Sequence, residues 1–213
     1  MGCTNLSKES FWSRFANDFE KRNNYVVGKK EIDNLKDHLS EIKDLGNALE
    51  LGCGDGVFTK MLTKNADSIT ATDWSKEMVN AAKFKLAGLS SIKLKKENCM
   101  DLSFQDESFD SVFMANLLHV IPQPEKAISE CKRVLKPKGR IIILSFTAYG
   151  MSFFNKMGMI YRYLRTYGKP PKYSAVLTVP KVRQMLEKEG FQVQRVALIG
   201  TKMKSVFVIA EKE

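Results

Sequence analysis

Three glycines separated by single residues form the segment of this sequence best suited to hold a ligand. Gly52, Gly54 and Gly56 follow the predicted strand Ala48–Leu51 and precede a predicted helix. Glycines suit such a turn because they tolerate positive φ and let main-chain atoms approach a ligand without a Cβ in between. Open α/β sheets bind ligands at the carboxyl ends of their strands. The segment therefore predicts a ligand site built from main-chain atoms.

The spacing of these glycines discriminates between classes of nucleotide-binding turn. A dinucleotide-binding turn, GxGxxG, would place its third glycine at position 57, where this chain has Val57. A phosphate-binding P-loop would end in Gly-Lys followed by Ser or Thr, and the segment lacks that ending. A nicotinamide oxidoreductase is therefore a disfavoured interpretation.

Asp73 ends the second predicted strand, 17 residues after Gly56. A carboxylate at this place can accept two hydrogen bonds from ribose hydroxyls. Asp73 or Ser75 also has a simpler use, because either residue can cap the helix that follows. The upstream glycines favour ribose binding over capping alone.

Short apolar or β-branched runs alternate with helical patterns along the chain, which predicts a parallel sheet wound with helices. The predicted strands are Ala48–Leu51, Ser68–Thr72, Ile92–Lys95, Ser111–Met114, Arg140–Phe146, Gln192–Ile199 and Ser205–Ala210. The predicted helices are Lys30–Ile42, Val57–Thr63, Lys76–Leu86, Pro124–Leu135 and Pro180–Glu189. The run Ile141–Leu144 is typical of a strand covered on both faces.

Two segments rich in aromatic residues lie outside this alternation. Residues 7–25 carry Phe11, Trp12, Phe15 and Phe19 at about helical spacing, and residues 149–173 combine aromatic and basic side chains without an acid. Aromatic stripes of this kind are more often core than site. Lids and substrate caps nevertheless attach outside such a frame. We expect one domain over residues 1–213, with an N-terminal lid helix over 7–25 and a substrate cap over 149–173.

Composition and charge narrow the class of protein further. The 213 residues carry a net charge of +10, and residues 146–213 hold 12 Lys/Arg against 4 Asp/Glu. That bias suits acidic substrates, an anionic membrane surface or nucleic acid, although a solvated lysine-rich surface explains it equally well. Scattered cysteines, with no signal pattern and no long apolar run, predict a cytoplasmic protein with reduced thiols.

Three sequence blocks, in the expected order, resemble the class I S-adenosylmethionine-dependent methyltransferases of the small-molecule, methyltransferase-domain 11-like kind. The blocks are the glycine turn with Asp73, the segment 102–110 before the fourth strand, and the segment 133–140 before the fifth. The resemblance covers about Glu50 to Leu144. It implies a Rossmann-like, doubly wound, seven-stranded, mostly parallel sheet with an antiparallel last strand, plus an N-terminal helix and a helical cap insert.

The resemblance also implies S-adenosyl-L-methionine as cofactor, with S-adenosyl-L-homocysteine as product. The first strand and its turn would hold the methionine moiety, Asp73 the ribose, and the ring of Trp74 would pack against the adenine. Many relatives have Asp where this chain has Asn98, whose side-chain oxygen would contact the adenine amino group. The cofactor residues it implies are Glu50, Gly52, Cys53, Gly54, Gly56, Asp73, Trp74, Asn98, Cys99, Met100 and Asn116.

Methyl transfer from a sulfonium chiefly requires alignment of the reacting atoms and exclusion of water. His119 is a candidate general base for an acceptor that arrives protonated, but a packing role on the loop after the fourth strand explains it as well. The residues after that strand, Ala115–Leu117, offer no carboxylates, so we expect no metal.

Reaction type does not specify the acceptor. The basic, aromatic segment 149–173 suggests a small-molecule or lipid-like acceptor, and peripheral contact with an anionic membrane is a further possibility. An Asp/Asn-Pro-Pro-Tyr stretch after the fourth strand is absent, which makes a nucleic-acid substrate less favoured. The alternatives are a non-catalytic S-adenosylmethionine-binding regulatory protein and a methyltransferase acting on nucleic acid or protein.

Overall fold

Seven strands form one sheet in the computed structural model, which describes residues 11–213. The strands are β1 Asn47–Leu51, β2 Ser68–Asp73, β3 Ile92–Lys96, β4 Phe109–Ala115, β5 Leu135–Thr147, β6 Phe191–Ile199 and β7 Lys204–Lys212. Their order is β3-β2-β1-β4-β5-β7-β6. Neighbouring strands are parallel except that β7 is antiparallel to β5 and β6. The predicted fold class and antiparallel last strand are confirmed.

Helices cover both faces of this sheet. They are α1 Phe19–Asn23, α2 Lys29–Ser40, α3 Thr59–Leu62, α4 Lys76–Lys85, α5 Pro124–Val134, α6 Phe153–Tyr167 and α7 Val179–Lys188. Ser75 caps α4 by accepting a hydrogen bond from the Met78 N–H at 3.1 Å. The helix predicted over Val57–Thr63 is shorter than expected, because the glycine turn extends to residue 58.

Alternate residues of the central strands enter two different hydrophobic clusters. Ile141 and Ile143 belong to the cluster that includes buried residues of α5 and α7, whereas Ile142 and Leu144 belong to the one that includes α2 and α4. Successive side chains of a strand point to opposite faces, so an apolar run fits a strand that is covered on both sides. The prediction for Ile141–Leu144 is confirmed.

The order of the strands reverses beside β1, which pairs with β2 on one side and with β4 on the other. Leu51 at the end of β1 is in register with Thr72 of β2 and with Met114 of β4. The loops that follow β1, β2 and β4 therefore meet at one edge of the sheet. Open α/β sheets bind their ligands in the crevice at such a reversal.

The N-terminal segment differs from the single lid helix predicted over residues 7–25. Positions 7–10 lie outside the described residues; from position 11, a 3₁₀ helix Phe11–Asp18 leads into α1 and then into a π-helical turn Asn24–Gly28. Residues three apart are eclipsed in a 3₁₀ helix. Trp12 and Phe15 accordingly both stand edge-on to the ring of Tyr167, with centroids 5.4 and 5.0 Å away. Packing against α6 explains the tighter helix.

These contacts join the N-terminal segment to α6, within the segment 149–173 predicted as a cap. Val26, Val27, Tyr167 and Met203 are buried in a third cluster, against which Met159 and Tyr163 of α6 also pack. The two aromatic segments that interrupt the α/β alternation thus form one layer over the carboxyl edge of the sheet. Among the helices of residues 11–213, none has the length and hydropathy that a transmembrane span requires.

Candidate functional site

The glycine turn leaves β1 in a left-handed conformation at all three glycines. Gly52, Gly54 and Gly56 have φ values of +72°, +55° and +84°. A Cβ at Gly56 would lie 2.8 Å from Leu86 Cδ1, and one at Gly52 would lie 3.0 Å from Leu117 Cδ1. A residue with a Cβ atom is strained at such φ values, and at Gly52 and Gly56 the Cβ would also come too close to a leucine side chain. The predicted need for glycine therefore has a structural cause at these positions.

Asp73 ties this turn to the start of α4. Its Oδ2 accepts a hydrogen bond from the Gly54 N–H at 3.0 Å, and its Oδ1 accepts one from the Ser75 N–H at 2.8 Å. Burial raises the pKa of Asp73, although these N–H groups and that of Trp74 oppose the shift. Asp73 therefore supports the helix start as well as facing the crevice. Each oxygen retains a lone pair for a further donor.

Glu50 lies beneath the turn, not in the wall of the crevice. Its side chain is buried, and its Oε2 has no hydrogen-bond partner among the described residues; the same holds for the hydroxyl of Thr59. Burial raises the pKa of Glu50 to about 7; the nearby Thr59 hydroxyl opposes that shift, and the negative charge of Asp73 adds to it. A buried carboxylate with an unsatisfied oxygen is costly unless something compensates it.

Asn116 and His119 follow β4 on the other side of β1. Asn116 has φ +56°, and its Oδ1 accepts a hydrogen bond from the Phe146 N–H at 2.8 Å, which fixes the end of β4 against β5. His119 Nδ1 lies 2.9 Å from Ser145 Oγ, and burial lowers the pKa of His119 to about 4. The imidazole is therefore neutral at physiological pH.

The segment after β3 and the ring of Trp74 form the far side of the crevice. The Oδ1 of Asn98 accepts a hydrogen bond from the Met100 N–H at 3.1 Å, so that oxygen also shapes its own loop. Trp74 is 42% exposed, and Lys96 Nζ lies 5.1 Å from the centroid of one of its rings. A large ring face with partial solvent access is available for stacking.

One cavity of about 920 Å³ connects these loops. Ten of the twelve predicted site residues line it, whereas Glu50 and Gly56 do not. The lining predicted residues are Gly52, Cys53, Gly54, Asp73, Trp74, Asn98, Cys99, Met100, Asn116 and His119. The structure thus brings residues from four separate loops together, as the order of the strands requires.

The roof of the cavity combines the N-terminal segment, α6 and the loop that follows α6. Phe11, Trp12 and Phe19 line it from one side, and Ile160 and Tyr163 of α6 from another. The loop also contributes Ser174, Ala175 and Val176, which lie just beyond the segment 149–173 predicted as a cap. Its place depends on tertiary pairing, since the Ala175 N–H donates to the His119 carbonyl at 2.9 Å.

The thiols of this site are poor nucleophiles. Burial raises the pKa of Cys99 to about 12 and that of Cys53 well above its ordinary value. The thiolate is the reactive form of cysteine, so neither side chain is activated for attack. Among residues 11–213, no group of three His, Cys, Asp or Glu side chains is arranged to hold a metal ion.

A parallel sheet with a glycine turn after β1 and a carboxylate after β2 defines a nucleotide-binding protein of the Rossmann type. The family model described as "Methyltransferase domain" matches residues 49–143, which include both features. Residues 49–143 thus form a methyltransferase domain of the class I S-adenosylmethionine-dependent kind, whose cofactor is S-adenosylmethionine.

The chain is similar to proteins of known sequence and to solved structures. An uncharacterized protein of Methanocaldococcus jannaschii is 33% identical over 85% of this chain and 80% of its own length. The demethylmenaquinone methyltransferase of Staphylococcus aureus strain MRSA252 is 34% identical over 56% of this chain, and the match spans about half of that protein, 53%. A solved S-adenosylmethionine-dependent methyltransferase of Aquifex aeolicus shares the fold, with a TM-score of 0.69, 24% identity, and coverage of 94% of this chain and 98% of that one.

Proposed function

We propose that this protein transfers the methyl group of S-adenosylmethionine to an apolar, lipid-like small molecule that enters beneath α6. The observation that carries this proposal is the cavity, which runs without a break from the glycine turn to the apolar inner face of α6. The match to the demethylmenaquinone methyltransferase supports an acceptor of this class.

The residues around the glycine turn fit the cofactor. Without Cβ atoms on Gly52 and Gly54, main-chain atoms face the cavity directly, and Asp73 presents a carboxylate beside them. We assign the ribose hydroxyls to Asp73 and the adenine to the space between Trp74 and Asn98. Glu50 acts from below, where the positive charge of a bound cofactor would favour the ionised form of its carboxyl group.

When bound, the cofactor supplies an electrophilic methyl group on a positively charged sulfur. The protein then has to align the acceptor and keep water out. The aromatic rings of Trp12, Phe19 and Tyr163 close the cavity, and ring faces tolerate a neighbouring positive charge. The polar side chains of Asn116 and His119, after β4, line the cavity where they can orient an acceptor hydroxyl.

His119 is the residue we assign to the acceptor's proton. When Ser145 Oγ accepts a hydrogen bond from Nδ1–H, Nε2 remains available to accept one from an acceptor hydroxyl. The low pKa of His119 keeps this nitrogen unprotonated at neutral pH. Because that low pKa also makes the imidazole a weak base, orientation of the hydroxyl is its larger contribution.

Two methionines of α6 provide a matched test of the acceptor site. Met159 lines the cavity, whereas Met157 is 49% exposed on the opposite face of the helix. Methyl-labelled S-adenosylmethionine is incubated with a short-tailed demethylmenaquinone analogue, reduced to the quinol, and the organic extract is counted. We expect labelled product, a higher KM for the analogue in Met159→Gln, and an unchanged KM in Met157→Gln.

Two results would contradict the proposal. One is label transfer only to water-soluble acceptors, with none in the organic extract. The other is an equal loss in both methionine variants, because that would show that α6 is needed for folding and not for gripping the acceptor. Binding of S-adenosylhomocysteine, measured by calorimetry, has to stay the same in both variants for the comparison to count.

A further inference from the structure

The helix α6 is apolar on two neighbouring faces, and only one of them has a partner in the described chain. Its inner face, with Ile160, Tyr163 and Tyr167, lines the cavity. Its outer face carries Phe153 and Phe154, exposed by 71% and 85%, and continues at helical spacing through Met157 and Tyr161. We name the four residues Phe153, Phe154, Met157 and Tyr161 the outer stripe.

A contiguous exposed stripe of this kind differs from scattered surface hydrophobics. Single exposed apolar residues are ordinary, as Phe84 of α4 illustrates at 89% exposure. Four large side chains on one helical face form a patch that water solvates poorly, and such patches mark interaction sites. The outer stripe therefore calls for a partner with an apolar surface.

The charge around the outer stripe identifies that partner. Residues 149–173, which include α6, contain five Lys/Arg and no Asp or Glu. Arg165 lies one helical turn beyond Tyr161, and Lys169 and Lys172 follow in the exposed loop after α6. An apolar helix face bordered by cations matches the boundary between anionic lipid headgroups and acyl chains.

We propose that the outer stripe and the cations beside it dock this protein on the surface of an anionic lipid membrane. The helix would lie in the plane of the interface: its 15 residues are about 22 Å long, too short to span a bilayer. A second copy of the chain is a poorer partner for the same face. A two-fold contact would bring identical cations against each other.

The docking surface adjoins the mouth of the cavity. Leu164, Tyr173 and Val176 line the cavity and are also 48%, 45% and 56% exposed. A docked protein would thus present its cavity to the membrane, and an acceptor with an apolar tail would pass between them without crossing water. This last link rests on the proposed function, whereas the docking surface itself does not.

Vesicle co-sedimentation of the full chain tests the docking surface without any acceptor. Vesicles contain phosphatidylcholine alone or phosphatidylcholine with phosphatidylglycerol. We expect binding to the phosphatidylglycerol vesicles, weakened by salt, and little binding to the neutral ones. Replacement of Phe153 and Phe154 together by Ser weakens partitioning by about tenfold or more, whereas Phe84→Ser leaves it unchanged.

The electrostatic half of the proposal has its own pair of variants. The double variant R165Q/K169Q loses two cations beside the stripe, and the control K60Q/K93Q loses two exposed cations elsewhere. Both have the same net charge, so we expect weaker vesicle binding only in the first. Unchanged affinity for S-adenosylhomocysteine in solution shows that each variant is folded.

Three outcomes would overturn the docking proposal. The wild-type protein stays in the supernatant with phosphatidylglycerol vesicles; or the control variants lose as much binding as the stripe variants; or the chain forms a dimer that the double Phe-to-Ser variant abolishes, which assigns the stripe to a second copy. A failed methyl-transfer assay with intact vesicle binding would instead count against the proposed acceptor.

Discussion

At the scale of single residues, Glu50 is a carboxyl group whose burial disfavours its ionised form. Its carboxylate is buried under the glycine turn, with an oxygen that lacks a hydrogen-bond partner. Another buried glutamate provides a contrast: Glu31 accepts hydrogen bonds from the N–H groups of Thr201 and Lys202. A costly buried charge beside a ligand site is typical of a functional group.

A pH-dependent stability measurement follows from this contrast. The pKa of Glu50 is about 7 when folded against an ordinary 4.5, so the folded protein holds a proton that the unfolded chain releases between those values. Stability without ligand therefore falls as pH rises through this window. In Glu50→Gln this loss disappears, and the variant gains up to about 3 kcal/mol over wild type at pH 8.

Urea denaturation at pH 5 and pH 8 measures the effect as a difference between variant and wild type. The difference is needed because His119, whose pKa is lowered to about 4, gives both proteins an opposite trend between pH 4 and 6.5. Burial raises the pKa of Glu31, but hydrogen bonds lower it further, so that the net pKa is lowered. As a contrasting variant, Glu31→Gln should therefore lose stability at pH 8. Identical pH profiles for wild type and Glu50→Gln would refute the account of Glu50.

The role of His119 is tested against the other histidine of the chain. His119→Ala should lower turnover about tenfold, with affinity for S-adenosylhomocysteine unchanged, because the acceptor hydroxyl loses its hydrogen-bond partner. His38→Ala, on α2, should leave turnover as it was. Steady-state kinetics and calorimetry provide both readouts. Unaltered turnover in His119→Ala would leave this residue a packing role alone.

At the scale of elements, a lysine links the N-terminal segment, which is the predicted lid, to the glycine turn. Lys85 Nζ of α4 lies 2.8 Å from Asp55 Oδ2 in the turn and 2.6 Å from Glu20 Oε2 of α1. Although desolvation opposes it, hydrogen bonds to Asp55 and Glu20 raise the pKa of Lys85, which keeps the ammonium charged. Phe19 of the same segment stands over Gly54. The N-terminal segment is thus tied to the turn through Lys85, and the ring of Phe19 packs over the turn.

Removing the ion pair should loosen the lid. In Lys85→Met we expect affinity for S-adenosylhomocysteine to fall on the order of fivefold, about 1 kcal/mol, and amide exchange over residues 11–23 to quicken. Lys83→Met, exposed on the same helix, is the matched control. Calorimetry and hydrogen exchange measure the two effects. Equal exchange rates in Lys85→Met and Lys83→Met would show that the ion pair does not hold the lid.

Local patterns predicted the elements of the sheet well because each strand satisfies its own periodicity. The run Ile141–Leu144 is an example, since its apolar residues suit burial on both faces. The pattern failed where tertiary contacts decide the backbone. Residues 11–28 became three short helical segments under the packing of α6, and β5 began at Leu135 because that residue pairs with Phe109 across a register shift.

The site was predictable to the same extent and for the same reason. Glycines with positive φ and a carboxylate at a strand end can be recognised in the sequence, and Gly52, Gly54 and Asp73 line the cavity. The missing hydrogen-bond partner of the Glu50 oxygen and the hydrogen bond between Ala175 and His119 cannot be recognised in the sequence. Those features arise only when distant segments come together.

At the scale of the whole molecule, the arrangement divides the work of the protein between two layers. The sheet edge, with β1, β2 and β4, presents polar groups for the cofactor, and the aromatic layer above it closes an apolar space. The excess of positive charge lies in the chain segment that supplies the outer layer. Fold alone would not specify this division, because α/β sheets of this type serve many chemistries.

A crystal structure with S-adenosylhomocysteine bound is the most direct test of the account. We expect the ribose hydroxyls within hydrogen-bond distance of Asp73, the adenine beside Trp74, and the sulfur facing the space between His119 and α6. A ligand bound outside this cavity, or one whose sulfur faces away from α6, would contradict the assignment of both the cofactor and the acceptor sites.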